Sequence, residues 1–276
     1  GKYDLTPEWG AVAYPDVGIS KEGKISSYFA PGIAYIALPF YKLGAGYGYG
    51  QLATFGVESL VSIITLVFIY MVGRRMFKMP IWASLFSVLI YGFASTSWGY
   101  AVTLYQNAFT AMFMITAFYA VWRYSQNNSK FNWFYTGYVW LAYALAITVD
   151  YPNAVLMLPV MVYLAVSTFK ISKLGEDIKV NIRWVAIGSF VFFALVTGLQ
   201  FWHNDTYYGA PTKLAGELQK FRPISIVGTS TEPIVTKEKT AIGFFHEYKI
   251  PQGLNVLISG DERGLFLFSP IFLFSL

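Results

Sequence analysis

The chain has 276 residues, of which 55% are hydrophobic, 19% aromatic and only 13% charged. Soluble domains carry about 25% charged residues, so composition excludes an ordinary soluble globular protein. The net charge of +5 sits in short clusters between long apolar runs, which fits membrane topology better than a nucleic-acid partner. Cysteine is absent, which removes disulfides, thiolate metal sites and a cysteine nucleophile.

Residues 1–10, "GKYDLTPEWG", read as polar loop rather than leader, and the chain reads as an internal portion of a longer protein. "SSYFAPGIAYIALPFYKLG" follows. It is apolar but short, with Pro31 and Pro39 at its flanks, so it is expected to be interfacial rather than spanning. Six apolar runs long enough to span then occupy roughly 51–73, 80–97, 101–122, 131–149, 153–169 and 184–202, and a seventh begins at 264. Trp82, Trp98, Trp122, Trp133, Trp184 and Trp202 lie at their ends, as headgroup-level anchors do. The expected fold class is an all-α polytopic membrane protein.

Cations set the expected orientation. Arg74, Arg75 and Lys78 follow the first run, Arg123 and Lys130 the third, and Lys170, Lys173, Lys179 and Arg183 the fifth. The turns "STSWGY" and "DYPN" hold no Lys or Arg. Every second connection is basic, which puts the basic turns in the cytoplasm. The organisation expected is an extracytoplasmic segment over 1–50, a six-helix region over 51–202, an extracytoplasmic cap over 203–263 and a further helix starting at 264–276. A loop as long as 203–263 is usually functional. There is no internal repeat of the kind that marks many secondary transporters.

Nucleotide chemistry has no footing. The glycine cluster "LGAGYGYG" runs into a membrane span instead of joining a strand to a helix. His203 and His246 are the only histidines. Neither has metal-signature spacing, so both read as interfacial; no cofactor is expected, and dependence on a divalent metal stays undecided. Asn204 heads an "NDT" glycosylation sequon.

Four segments together resemble the GT-C superfamily of membrane glycosyltransferases, in its mannosyltransferase and aminoarabinose-transferase branches. They are "KEGKISSYFAPGIAYIALPFYKLG", "LAYALAITVDYPNAVLMLPVMVYL", "HNDTYYGAP" and "ISGDERGLFLFSPIFLFSL". They occur in family order from Lys21 to Leu276. The resemblance implies transfer of a sugar from a polyprenyl-phosphate donor to a lipid, glycan or protein acceptor. That would occur on the outer face of a prokaryotic plasma membrane or the lumenal face of the endoplasmic reticulum. It implies no nucleic-acid partner. It also implies a catalytic carboxylate just after a first transmembrane helix, which places that acid upstream of Gly1. Asp4 and Asp16 are the weak candidates that remain, and neither sits in a clear family motif. The alternative is a non-catalytic membrane subunit or a transporter.

Such transfer needs a base, cations for the departing phosphate and a dry groove. Arg263, in "SGDERG", offers bidentate donors to a phosphate, and the resemblance keeps an Arg there. Its bland reading is an interfacial arginine snorkelling to water beside Asp261 and Glu262. Lys24 is a second phosphate or substrate candidate, otherwise a loop lysine. Tyr28 could contact sugar or lipid, otherwise it is an interfacial tyrosine. Glu58 falls inside the first span, where an ionisable group costs about 2.5–3.5 kcal/mol at the helix centre and faces a partner or cavity. Asp150, in "VDYPN", is either a site residue on the outer face or simple turn chemistry.

Overall fold

The computed structural model describes residues 3–13, 16–20, 22–126, 132–174, 177–220 and 250–260. In chain order they form α1 (Pro7–Val12), β1 (Val17–Ile19), β2 (Ile25–Ser27), α2 (Gly32–Ala45), α3 (Gly50–Met71), a π-helical turn (Val72–Met76) and α4 (Ile81–Phe93). Next come α5 (Ser97–Tyr100), α6 (Gln106–Ser125), α7 (Asn132–Val149), α8 (Asn153–Leu156), α9 (Leu158–Thr168), β3 (Phe169–Leu174) and β4 (Asp177–Ile182). The series ends with α10 (Trp184–Gly188), α11 (Val191–Tyr208), a 3₁₀ turn (Ala215–Glu217), β5 (Gln219–Lys220) and α12 (Ile250–Ser259). The protein is mostly helical, an all-α membrane protein in class.

The segments Gly50–Met76 and Trp184–Tyr208 are long and apolar enough to cross a bilayer, and Ile81–Phe93 and Asn153–Thr168 are shorter apolar helices. Each of the six expected runs coincides with helix. The third starts late: Gln106, not residue 101, opens α6, because Ser97–Tyr100 closes a separate short helix and Tyr105 is extended. Pro39 lies inside α2 rather than at its flank. A proline there removes one helical hydrogen bond, and α2 continues because its packing holds it.

The chain divides into two compact units, Gly1–Pro31 with Leu195–Ile250, and Gly32–Ala194 with Pro251–Leu276. In the first, β1 pairs antiparallel with both neighbours in the order β2-β1-β5, with Gly18 opposite Ser26 on one side and Lys220 on the other. A bridge from Leu5 to Ile25 ties the N-terminal bend to β2. Val17, Ile25 and Leu218 are buried around this sheet. An extracytoplasmic cap was expected over 203–263; the strand pairing of Gln219 and Lys220 within that range is a two-residue feature too short to show as periodicity.

The second unit is a helical bundle. Phe109, Phe113, Ala117, Val121 and Tyr124 form the buried face of α6, four residues apart at most steps. Val139, Ala142, Ala146 and Val149 of α7 meet it, with Val57 and Val61 from α3 and Met157, Val160 and Leu164 alongside. Alanines let α7 approach closely, as small residues do between membrane helices. An intimate approach between α2 and α7 is at Gly32, where a Cβ would lie 2.5 Å from the backbone of Thr148. Only glycine lets α2 start against α7. The β3–β4 hairpin follows α9, and its strand order was not expected from a loop read for its lysines alone.

Candidate active site

In the first unit the hairpin β1–β2 gathers four of the sequence candidates. Ser26 faces the same side as its cross-strand partner Gly18. The missing side chain of Gly18 is what makes room there: a Cβ would sit 2.6 Å from the Leu218 Cβ and 2.8 Å from Cε1 of Tyr28. Tyr28, two residues past Ser26, therefore lays its ring over Gly18. The Tyr28 hydroxyl and the Ser26 Oγ are both buried without a hydrogen-bond partner. Burial pushes the Tyr28 phenol above its usual range, so it stays a neutral donor.

Lys24 is committed in two directions. Its ammonium lies 2.9 Å from the Glu22 carboxylate and donates to the Thr206 carbonyl at 2.5 Å. Thr206 belongs to the last turn of α11, where a cation complements the helix dipole. Lys24 thus fastens the hairpin to α11, and a lysine keeps three donors, of which these contacts use two. Asp16 is exposed, and its carbonyl accepts the Tyr28 backbone N–H at 2.9 Å. Asp4 is half-buried beside the Leu5–Ile25 bridge.

His203 is buried within the protein. Its ring has Tyr3, Tyr207 and Tyr208 at centroid distances of 4.6, 4.8 and 5.2 Å, and its Nε2 lies 3.3 Å from the Tyr208 hydroxyl. Asn204 is 1% exposed and donates Nδ2–H to the Pro211 carbonyl. Its amide is held inside the fold, so the sequon is not presented. Among the described residues no group of three His, Asp or Glu side chains comes together as a metal site.

In the second unit Glu58 is 0% exposed. The Tyr105 backbone N–H, at the start of α6, faces it, yet neither carboxyl oxygen completes a hydrogen bond. The next residue, Ser59, donates to the Ala101 carbonyl at 2.9 Å. Ser59 therefore ties α3 to the 101–105 segment, with the Glu58 carboxyl buried beside it. Asp150 stands just past α7, and burial raises its carboxyl above the usual range. The turn's polar clamp is Asn153, whose Nδ2 donates to Thr110 Oγ1 at 2.9 Å and to the Ala146 carbonyl at 2.8 Å. Sequence reading weighed Asp150 as a site residue against turn chemistry in which Asp150 and Asn153 bracket Pro152, and the contacts of Asn153 are of that second kind. Arg263 and His246 lie outside the described residues.

A family model described as dolichyl-phosphate-mannose-protein mannosyltransferase matches residues 29–202. That is well over half of the chain. The protein belongs to this family. The GT-C resemblance carried by the sequence segments is thereby borne out at family level. No curated protein and no solved structure matches. Membership in the dolichyl-phosphate-mannose-protein mannosyltransferase family makes the chain a polyprenyl-phosphate-dependent membrane glycosyltransferase by family. The match includes Glu58 and Asp150, whereas Asp4, Asp16, Lys24 and Tyr28 precede it and Arg263 follows it.

Proposed function

We propose that the protein transfers a sugar from a polyprenyl-phosphate donor to a lipid, glycan or protein acceptor on the extracytoplasmic face of the membrane. The family match over residues 29–202 carries this reading. Orientation follows from the basic turns, Arg74, Arg75 and Lys78 after the first span and Arg123 and Lys130 after the third, taken as cytoplasmic. The N-terminal segment and the region after α11 then lie outside.

The roles follow from charge. A phosphate leaving group gathers negative charge as the bond to the sugar carbon breaks, and fixed cations stabilise it. Arg263 takes that role at the membrane lip, with Asp261 and Glu262 orienting it. Lys24 keeps one ammonium donor for an anion, and the neutral hydroxyl of Tyr28 offers a hydrogen bond to sugar or phosphate oxygen. Asp150 lies in a turn without Lys or Arg, which the cation pattern assigns to the outer side.

The test is transfer of radiolabelled sugar from a panel of polyprenyl-phosphate donors by the protein in membranes, wild type beside Arg263→Ala. Transfer lost in a folded mutant supports the class and the role of Arg263. Transfer that persists keeps the class and returns Arg263 to a snorkelling contact. Silence across all donors and acceptors moves the reading to a scaffold or transporter.

A further inference from the structure

Helix α12 is one of the short uncharged helices of the chain, like α4 and α9. It runs Ile250–Ser259 without an acidic or basic residue in its first or last turn, and the sequence "IPQGLNVLIS" holds no charge at any position. Ten residues extend about 15 Å, half the hydrocarbon thickness of about 30 Å, so α12 cannot span. Its end is built in: Gly260 donates its N–H to the Val256 carbonyl at 3.0 Å, and a Cβ at Gly260 would lie 2.5 Å from that oxygen.

At about 100° per residue, Leu254, Leu257, Ile258 and Pro251 fall within one arc of about 120°. Gln252 and Val256 lie opposite the middle of that arc, and Asn255 just beyond its Pro251 edge. Every residue from 251 to 258 is exposed, with Leu254 at 52% and Leu257 at 56%. A helix this short is marginal in water on its own, so the apolar arc requires a surface. The chain supplies the clue to which one. Five residues past Ser259 the sequence turns into the apolar run Gly264–Leu276, and the family is one of membrane enzymes.

We infer that α12 lies in the plane of the bilayer interface, with Leu254, Leu257 and Ile258 among the upper acyl chains. Its occupant is the lipid surface itself, engaged by apolar burial rather than by charge. The near flanks reinforce this: Lys249 and Arg263 offset Asp261 and Glu262, so no net charge pulls toward anionic lipid. An interfacial helix of this kind buries its apolar face about 5–10 Å below the headgroup boundary. The inference rests on the membrane character of the family and not on the transfer reaction.

The absence of cysteine makes the test direct. Gln252→Cys, Leu254→Cys and Leu257→Cys, each in the full chain, carry one nitroxide label in phosphatidylcholine vesicles. Collision rates with oxygen, which partitions into acyl chains, and with a water-soluble nickel chelate then report depth. The expected result is an oxygen-to-nickel ratio several-fold higher at 254 and 257 than at 252, unchanged in high salt. Nickel access at all three positions would put α12 in water and overturn the inference. Exclusion of both reagents at 254 and 257 would mean that protein, from this chain or a second copy, covers the face, and would also overturn it. A pattern seen only with anionic lipid and lost in salt would replace apolar burial with electrostatic anchoring. The two apolar positions are exposed and independent, so a folding fault in one leaves the other decisive. None of these readouts depends on sugar transfer, so failure here and failure of the proposed activity are separable.

Discussion

The guanidinium carbon of Arg183 lies 3.7 Å from the centre of the Tyr124 ring, while Nη1 donates to the Tyr124 backbone carbonyl at 3.0 Å. One side chain both stacks on α6 and caps its C-terminal end, where a cation is favoured. Arg183→Ala is expected to destabilise the protein by about 2 kcal/mol, from a charged hydrogen bond and a desolvated cation–π contact. Arg183→Lys should recover only part, because lysine keeps charge without the planar fork. Thermal melting in detergent checks the order wild type, Lys, Ala; an Ala variant that melts with wild type would show the contact is idle.

Glu58 sets function against stability. An ionisable group at a helix centre costs about 2.5–3.5 kcal/mol on insertion scales, and losing the acceptor that faces the Tyr105 amide costs about 1–3 kcal/mol. The two nearly cancel, with the first slightly larger. Glu58→Leu is therefore expected to melt at or above wild type and, if the carboxyl serves the reaction, to lose transfer. A clear drop in melting temperature would instead make Glu58 the structural clamp of the 101–105 segment.

Asp150 has a carboxyl raised by burial. The folded state then holds its proton more tightly than the unfolded chain, so the group's contribution is best at low pH and is lost as pH climbs from the unfolded value through the folded one. Asp150→Asn should remove that loss. The gap in melting temperature between the two proteins should widen between pH 4 and pH 7, in favour of Asn. A constant gap would mean that burial does not perturb this carboxyl.

Gly18→Ala places a Cβ 2.6 Å from that of Leu218 and 2.8 Å from the Tyr28 ring. Overpacking of this kind costs about 1–3 kcal/mol. The expected readout is faster hydrogen exchange in β1 and β5 with little change in the α6–α7 amides.

Much of the bundle was legible because membrane helices announce themselves by length and apolarity. The six runs over 51–202 each fall on helix, and the motif segments pointed to the right family. Local backbone features were harder to read. The start of α6 at Gln106 depends on the extended Tyr105, not on hydropathy, and α2 carries Pro39 through its interior because neighbours hold it. Site residues split the same way. Lys24 and Tyr28 were visible as residue types, but the partnership of Tyr28 with Gly18 is tertiary. Asn153 was visible as turn chemistry bracketing Pro152, but its amide clamp to Thr110 has no signature at the level of sequence. His203 showed no metal-signature spacing, and the three tyrosines that enclose it come together only in the fold.

The pairing of Gly18 with Lys220 also has a consequence in time. About 200 residues separate the partners, and chains are made at roughly 5–20 residues per second. For about 10–40 s after β1 leaves the ribosome its second edge therefore has nothing native to bind. The unmatched strand is an exposed template throughout that interval, while the helices between are still being inserted. Production of this protein is then most vulnerable at its N-terminal hairpin, and a holdase that masks a strand edge should raise yield more than one that shields apolar helices.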